Sequence, residues 1–527
     1  MTQDTPGRLA RAPQQQPQPA PDGSAEAGLP LAAIDIGSNS FRLEIAQVER
    51  GRYRRSDYLK ETVRLGGGLD AEGRLTEDAM QRGLACLAGF AERLRGFAPG
   101  RVRAVATQTL REARNRDEFL DRGAVALGHP IEVISGREEA RLIYKGVSRL
   151  APAASGRRLV IDIGGRSTEM ILGEGATPLV AESFQIGSVS LSMRFFPGGR
   201  FTEEAFRAAQ VAAGAELEEA LEAFAPGLWS EALGSSGTAG AVSQLLLAHE
   251  ITDGSITPEG LAWCIEQCLK AGSAERLQLS GLKEERRAVL GGGLAILGAL
   301  STQFGIDALR PAKGALRQGV IFDLDERLSA ARHDGDDAHD VRDESVQLLQ
   351  ERFRVDVAQA RRVQAAALAL HRALDPKADE ETRRELGWAA ALHELGMTVS
   401  HHDHHRHSAY LLAHVDAAGF SQSQQRRLGT LVLGQRGGLR KIEEALADPG
   451  FARQVLALRL AVLLCHARSA PDLDALVLRR SGTTATLTMQ ADWAQQHPRS
   501  VYLLQEEKAL WERSGALRLV LRTARRD

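Results

Sequence analysis

Cysteine is scarce in this chain, aromatic residues are few, and charge of one sign does not dominate. Cys86, Cys264, Cys268 and Cys465 are the only cysteines among 527 residues. That count excludes a disulfide-stapled scaffold, which needs dense pairing. The Cys264–Cys268 pair lacks the second pair that completes a zinc site. Buried thiols in a reducing compartment fit this usage. No apolar run approaches the roughly 18–20 residues that a membrane helix requires. Near the start, Pro and Gln stand where a secretory signal would carry its apolar core. The formal net charge is −2. No global basic field marks a nucleic-acid binder, so a polyanion site must be assembled locally from Arg and Lys.

What the chain does have is one short loop in two copies. Asp35-Ile36-Gly37-Ser38-Asn39-Ser40 recurs as Asp162-Ile163-Gly164-Gly165-Arg166-Ser167-Thr168. Strand-like runs flank each copy: Leu31 to Ile34 and Phe41 to Val48 around the first, Leu159 to Ile161 and Thr168 to Leu172 around the second. The pattern predicts strand, tight turn, strand, twice. Glycine lets backbone N–H groups approach a ligand, and the Ser and Thr hydroxyls add donors. The Asp can hold a hard cation or its waters. Two such loops imply two half-domains closing on one phosphate chain.

Around these loops the organisation is modular. Residues 1–30, rich in Pro, Gln, Ala and Gly, read as a disordered tail. Residues 31–145 alternate strand and helix signals. They include a strand at Tyr58–Leu65, a helix from Thr76 to about Phe97 and a helix from Glu138 to Leu150. Residues 146–325 repeat the theme, with a helix over Thr202–Phe224 and a strand-to-helix turn at Gly234–Gly240. From about 326 to 475 the chain reads as helix after helix. Residues 476–527 return to mixed signals and read as a small α/β domain. The fold class is α/β followed by an all-α domain.

At this point several motifs converge. They are Ala33–Arg42, Leu65-Gly66-Gly67-Gly68-Leu69, Ala106-Thr107-Gln108-Thr109-Leu110-Arg111 and Ile134–Ile143. The second phosphate loop, Ser235-Ser236-Gly237-Thr238 and Gly314-Ala315-Leu316-Arg317-Gln318-Gly319 complete the set. In order and spacing the chain resembles the exopolyphosphatase / guanosine pentaphosphate phosphatase (Ppx/GppA) family of the actin-like superfamily. Leu392-His393-Glu394-Leu395-Gly396 and His405–Tyr410 resemble its long, four-domain form. The resemblance implies two actin-like, ribonuclease H-like domains, then an HD-like helical domain.

The same resemblance implies roles. Glu139, the second Glu of Gly136-Arg137-Glu138-Glu139-Ala140, would be the general base that aligns and deprotonates water. Asp162 would take part in catalysis and hold Mg²⁺, with Glu169 and Asp35 as further candidate ligands and K⁺ as an activator. Gly37, Ser38, Asn39, Ser40, Gly164, Gly165, Ser167 and Thr168 would bind phosphate. Arg166 departs from the usual third glycine; it adds a cation or crowds the loop. Arg42, Arg111 and Arg317, together with Arg137 and Arg141, are candidates for lining the route of a long anion. Gly234–Gly240 occupies the place where actin-like kinases hold adenosine. In the helical region His393 is followed by Glu394 rather than Asp, so a second phosphohydrolase centre is not expected. The run His401–His407 is metal-like in composition only.

Exopolyphosphatase activity, releasing orthophosphate processively from inorganic polyphosphate, is the leading reading. Hydrolysis of guanosine pentaphosphate is its alternative, and a non-hydrolysing nucleotide-binding regulator is a third. A homodimer located in the cytoplasm, free or peripheral to the inner membrane, accompanies the resemblance.

Overall fold

A computed structural model describes residues 28–330 and 340–524. The predicted tail lies almost wholly outside the described residues. Two five-stranded sheets form the first half. The first contains β1 (Leu31–Ile36), β2 (Phe41–Glu49), β3 (Arg52–Glu61), β4 (Val102–Ala106) and β5 (Ile131–Val133), in the order β3-β2-β1-β4-β5. The second contains β6 (Arg158–Ile163), β7 (Thr168–Glu174), β8 (Thr177–Phe184), β9 (Glu231–Ser235) and β10 (Leu309–Pro311), in the order β8-β7-β6-β9-β10. In both, the first three strands are antiparallel and the last two join in parallel. The two halves are therefore copies of one topology. Asp35 pairs with Arg42 across the first hairpin, and Asp162 pairs with Glu169 across the second.

β1 and β6 are buried along their whole length. Both are central strands covered on two faces, which explains their continuous apolar runs around a single Asp. The strand predicted at Tyr58–Leu65 instead begins at Arg52 and ends at Glu61, and Leu65–Gly68 forms a 3₁₀ turn. The polar start of β3 hid it: it is an edge strand, mostly exposed. The long helix expected over Thr202–Phe224 ends at Leu217 and passes into a 3₁₀ turn.

Between the sheets lie two crossed helices, Gly136–Leu150 and Leu316–Ala330. The division at 145/146 falls inside the first of these. Ile143, Val147, Val320 and Ile321 share a core with Val105, Val160 and Ile171 from both sheets. At the crossing the backbones nearly touch: a Cβ on Gly319 would lie 1.7 Å from the Leu142 carbonyl oxygen. Only glycine permits that approach. Beside the crossing, the buried Asp323 carboxylate binds Arg103 (2.7 Å), Arg141 (2.6 Å) and Arg327 (2.7 Å).

Helices dominate Val341–Leu464, and β11 (Leu476–Ser481), β12 (Thr484–Met489) and β13 (Arg518–Thr523) form a closing sheet. The strands expected near the C-terminus are present. They do not have a core of their own: Leu487, Trp511 and Leu519 pack in one cluster with Val455, Leu458 and Ala461. No helix among the described residues is long and apolar enough to cross a membrane.

The helical half docks on the first half through a loop. The Gly419 N–H donates to the Glu138 carboxylate (2.8 Å), and its carbonyl accepts from Arg327 (2.6 Å). Asp416 pairs with Arg137 (2.9 Å). Gly419 has φ +84°, and a Cβ there would lie 2.5 Å from Val341. Gly419→Ala should therefore destabilise the protein by about 1–3 kcal/mol through strain and lost docking. Differential scanning calorimetry checks this, and an unchanged melt would show that the loop is not under constraint.

Candidate active site

The two phosphate loops face each other across a cleft of about 410 Å³. The first hairpin presents Gly37, Ser38, Asn39 and Ser40. The second presents Gly164, Gly165, Arg166 and Ser167. Asp35 and Asp162 are the next-to-last residues of β1 and β6, and both line this cleft. Glu139 enters from the first turn of helix Gly136–Leu150. Ser135 caps that helix by accepting from the Glu138 N–H (3.1 Å).

The site is rich in buried negative charge. Glu139 is 7 % exposed, Asp162 6 % and Glu169 1 %. Burial, opposed by Arg111 but reinforced by Asp35 and Asp162, pushes Glu139 up to about 7. Burial raises Asp162 as well, against the neighbouring Ser236 and Ser235 hydroxyls. Glu169 is raised further, by burial and then by Glu139 and Asp162. Asp35 differs: Arg42 (3.0 Å) and Arg317 (3.4 Å) both hold its carboxylate. Arg317 also reaches Glu44 (3.1 Å), which Tyr53 and Gln318 bind as well.

Of the other candidates, Arg42, Arg166 and Arg317 line the cleft. Arg111, Thr168 and Glu169 do not line it. Arg111 stands behind Glu139 and donates to it (2.7 Å), as well as to the Ile134 carbonyl. The Thr168 hydroxyl is used by the Ile186 carbonyl (2.6 Å). Glu169 accepts from Ser183 (2.9 Å) beneath the second loop. Arg137 pairs with Glu182 and Asp416 at the surface, and Arg141 is buried on Glu138 and Asp323; the structure does not bring these two to the cleft. The Gly234–Gly240 turn does reach it through Ser236, Gly237 and Thr238. Ser236 has φ +63°, and its hydroxyl donates to the Ile163 carbonyl (3.0 Å). That strained turn braces the end of β6 beside Asp162.

A cationic rim was not foreseen. Arg55, Tyr58, Lys60, Lys283, Arg286 and Lys313 line the mouth of the cleft. The Tyr58 ring lies under Arg55 (5.5 Å) and Arg317 (5.3 Å). Burial, then the neighbouring Arg42, lowers Arg286 from its ordinary value. The alternation of Tyr58 and Lys60 on β3 was the available signal, while Arg55 fell outside the strand expected from Tyr58.

Among the described residues, no group of three or more His, Cys, Asp or Glu side chains is spaced to hold a metal by itself. This covers the His401–His407 run, where His402 is exposed while His404 and His405 are buried. It also covers Asp35, Asp162 and Glu169. A cation between the loops would have to draw part of its shell from water and phosphate.

Comparison with known proteins agrees with this geometry. The Ppx/GppA phosphatase family model matches residues 45–328, and the model of Ppx/GppA phosphatase domain III matches residues 341–508. A guanosine-5'-triphosphate,3'-diphosphate pyrophosphatase from Photobacterium profundum is 37% identical over 480 residues, spanning 90% of this chain and 95% of that one. Its namesake from Vibrio vulnificus is 38% identical over 473 residues, 89% of this chain and 93% of its own. An exopolyphosphatase structure from Cytophaga hutchinsonii aligns with a TM-score of 0.51 at 27% identity, covering 56% of this chain and 98% of that one. An exopolyphosphatase-like protein aligns at 0.52 with 26% identity, covering 58% and 100%. The paired phosphate loops, the shared topology of the two halves and these matches agree: the chain belongs to the Ppx/GppA phosphatase family, whose members hydrolyse phosphoanhydrides.

Proposed function

We propose that this enzyme removes the terminal phosphoryl group of guanosine-5'-triphosphate,3'-diphosphate, with inorganic polyphosphate as a second substrate of the same cleft. Between the two readings open from sequence, the relatives' names favour the guanosine substrate. The observation that carries the chemistry is the geometry of Glu139, a buried carboxylate that burial pushes up to about 7, facing two glycine-and-hydroxyl loops across one cleft.

The terminal phosphate lies between the loops, where backbone N–H groups and the Ser38, Ser40 and Ser167 hydroxyls meet its oxygens. Arg42 and Arg317 add charge-assisted contacts. The cationic rim suits a second anionic group, as in a nucleotide with phosphates on both ribose ends. Glu139 orients a water and accepts its proton as the water oxygen bonds to phosphorus. The bridging P–O bond then breaks, and orthophosphate and the shortened substrate leave. A base near neutrality works in the range where proton transfer is most effective.

Mg²⁺ suits an all-oxygen site that keeps several waters, and it would offset charge on the phosphoryl oxygens. Asp162 is the best-placed ligand, because no guanidinium holds it. Glu169 would support it from behind, and Asp35 serves the arginines instead. Residues 340–524 read as an HD-like helical domain with its closing sheet, extending the binding surface without a second catalytic centre, and a homodimer follows the family pattern.

Orthophosphate release should be measured with the guanosine substrate, long polyphosphate and ATP at equal terminal phosphoryl concentration. The guanosine substrate should give the highest kcat/KM and ATP the lowest. Preference for ATP, or no release from the first two, would sink the reading. Glu139→Gln should keep substrate binding in equilibrium titration but lower kcat by roughly 10²–10⁴-fold.

Glu169 gives a stability prediction. Its folded-state pKa lies well above the ordinary 4.5, so folding favours its protonated form. Its neighbours therefore cost no stability below about pH 4.5, and the cost grows as pH rises toward the folded value. Without divalent cations, Glu169→Gln should melt higher than the parent at neutral pH, and the difference should vanish on acidification below 4.5. Scanning calorimetry across pH checks this. An equal or lower melt at neutral pH would mean that Glu169 is already compensated.

A further inference from the structure

Arg166 occupies the third position of the second phosphate loop, yet its guanidinium crosses to the opposite half of the cleft. Its Nη2 and Nε meet the Glu112 carboxylate at 2.7 Å and 3.1 Å, and its Nη1 meets the Gly66 carbonyl at 3.4 Å. Glu112 and Gly66 belong to the first half. Gly66 donates through its N–H to the Ser38 carbonyl of the first phosphate loop (2.8 Å). One side chain of the second loop is thus tied to the segment that shapes the first.

The contact continues inward. Glu112 accepts from the Gln108 amide nitrogen (2.7 Å). The Gln108 carbonyl oxygen accepts from Arg111 Nε (2.9 Å) and Nη2 (2.7 Å). Arg111 Nη1 donates to Glu139 (2.7 Å). Every link is a side-chain hydrogen bond in a half-buried or buried setting, where such bonds polarise and orient one another. The helix carrying Gln108, Arg111 and Glu112 spans only Gln108–Glu112, so side-chain contacts rather than helix length fix its position.

We infer that Arg166 is a positioning residue: it latches the two halves across the cleft and, through Glu112, Gln108 and Arg111, holds Glu139 in line with the phosphate between the loops. The inference rests on the hydrolase reading and goes beyond it. It assigns the unusual arginine to closure and alignment rather than to phosphate binding. Fork geometry makes the assignment specific, since a guanidinium spans a carboxylate with two donors where an ammonium offers one point contact.

A charge exchange separates the two roles. R166A and E112A should each lower kcat by on the order of 10–100-fold, the cost of slight misplacement of reacting groups, with much smaller changes in KM. R166E/E112R restores the bridge in reverse and removes the cation from the second loop, so it should recover most of the lost kcat. R166K should recover less. A double variant no better than R166A, with E112A close to the parent, would overturn the latch and make Arg166 a phosphate ligand.

A second readout needs no activity. Val125 and Val211 are exposed on helices Arg116–Leu127 and Glu203–Leu217 of the two halves. Nitroxides at these positions, in a protein carrying Cys86→Ser, report the distance between the halves by pulsed electron resonance. The other three cysteines are buried. The distance distribution should broaden in R166A and E112A and narrow again in R166E/E112R. Unchanged distributions in both single variants would overturn the latch even if both lose activity. Should R166A fail to fold, E112Q carries the same comparison. If the parent hydrolyses none of the substrates, the functional reading fails, while the distances still decide whether Arg166 joins the halves.

Discussion

The close crossing of helices Gly136–Leu150 and Leu316–Ala330 is the contact on which the rest of the enzyme depends. Glycine at 146, 314 and 319 lets backbone meet backbone there. Because Glu139 sits in the first turn of the first helix, the placement of that helix decides where this carboxylate stands. Asp323 reinforces the crossing. Burial would raise its pKa, but Arg327, Arg141 and Arg103 hold it well below the ordinary range. Removing one member of such a buried group strands the others without water, which costs several kcal/mol. Packing at the crossing and charge beside it therefore lock one geometry together.

The active site works against this rigidity. Glu139, Asp162 and Glu169 crowd negative charge into a buried space with Arg111 as the nearest counter-charge. Folding tolerates the crowding because the surrounding sheets and the crossing fix the backbone. The same crowding raises Glu139, Asp162 and Glu169 above the ordinary carboxylate range, which is what the proposed mechanism asks of this cleft. Asp35 shows the alternative solution. It occupies the mirrored position, but its partner across the hairpin is Arg42 where the second copy has Glu169. The same hairpin thus carries two different pairs, an Asp–Arg ion pair in the first half and two carboxylates in the second.

Much of this was legible in the sequence, because it is written in local pattern. The duplicated Asp-Ile-Gly loops announced both hairpins, and the helix expected from Glu138 to Leu150 is present, starting two residues earlier at Gly136. That the two loops face one cleft followed from their duplication, and the place of Glu139 beside them from the family resemblance. What the sequence hid depends on distant partners. Arg137 and Arg141 lie in the first two turns of helix Gly136–Leu150 and look like phosphate ligands in sequence, yet the fold turns them toward Glu182 and Asp323. Arg166 could be placed only once Glu112 was seen across the cleft. The rim residues Lys283 and Arg286 stand at the start of helix Glu284–Phe304 and Lys313 just before Leu316–Ala330, and no short window of sequence connects them with Arg55 and Lys60 on β3.

The C-terminal sheet has a consequence for how the chain must be made. Its buried face, with Leu478, Leu487 and Leu519, completes the core begun earlier in the chain by Val455 and Leu458. The first half can close its own sheets as soon as Ala330 is available. The helical half cannot, because its last covering strand ends at Thr523. During synthesis an oily face of Leu456, Leu460 and their neighbours therefore waits for the final strand to emerge. A ribosome stalled between Leu464 and Arg518 would carry a finished catalytic half tethered to a sticky, incomplete one, which is the kind of intermediate that chaperones hold.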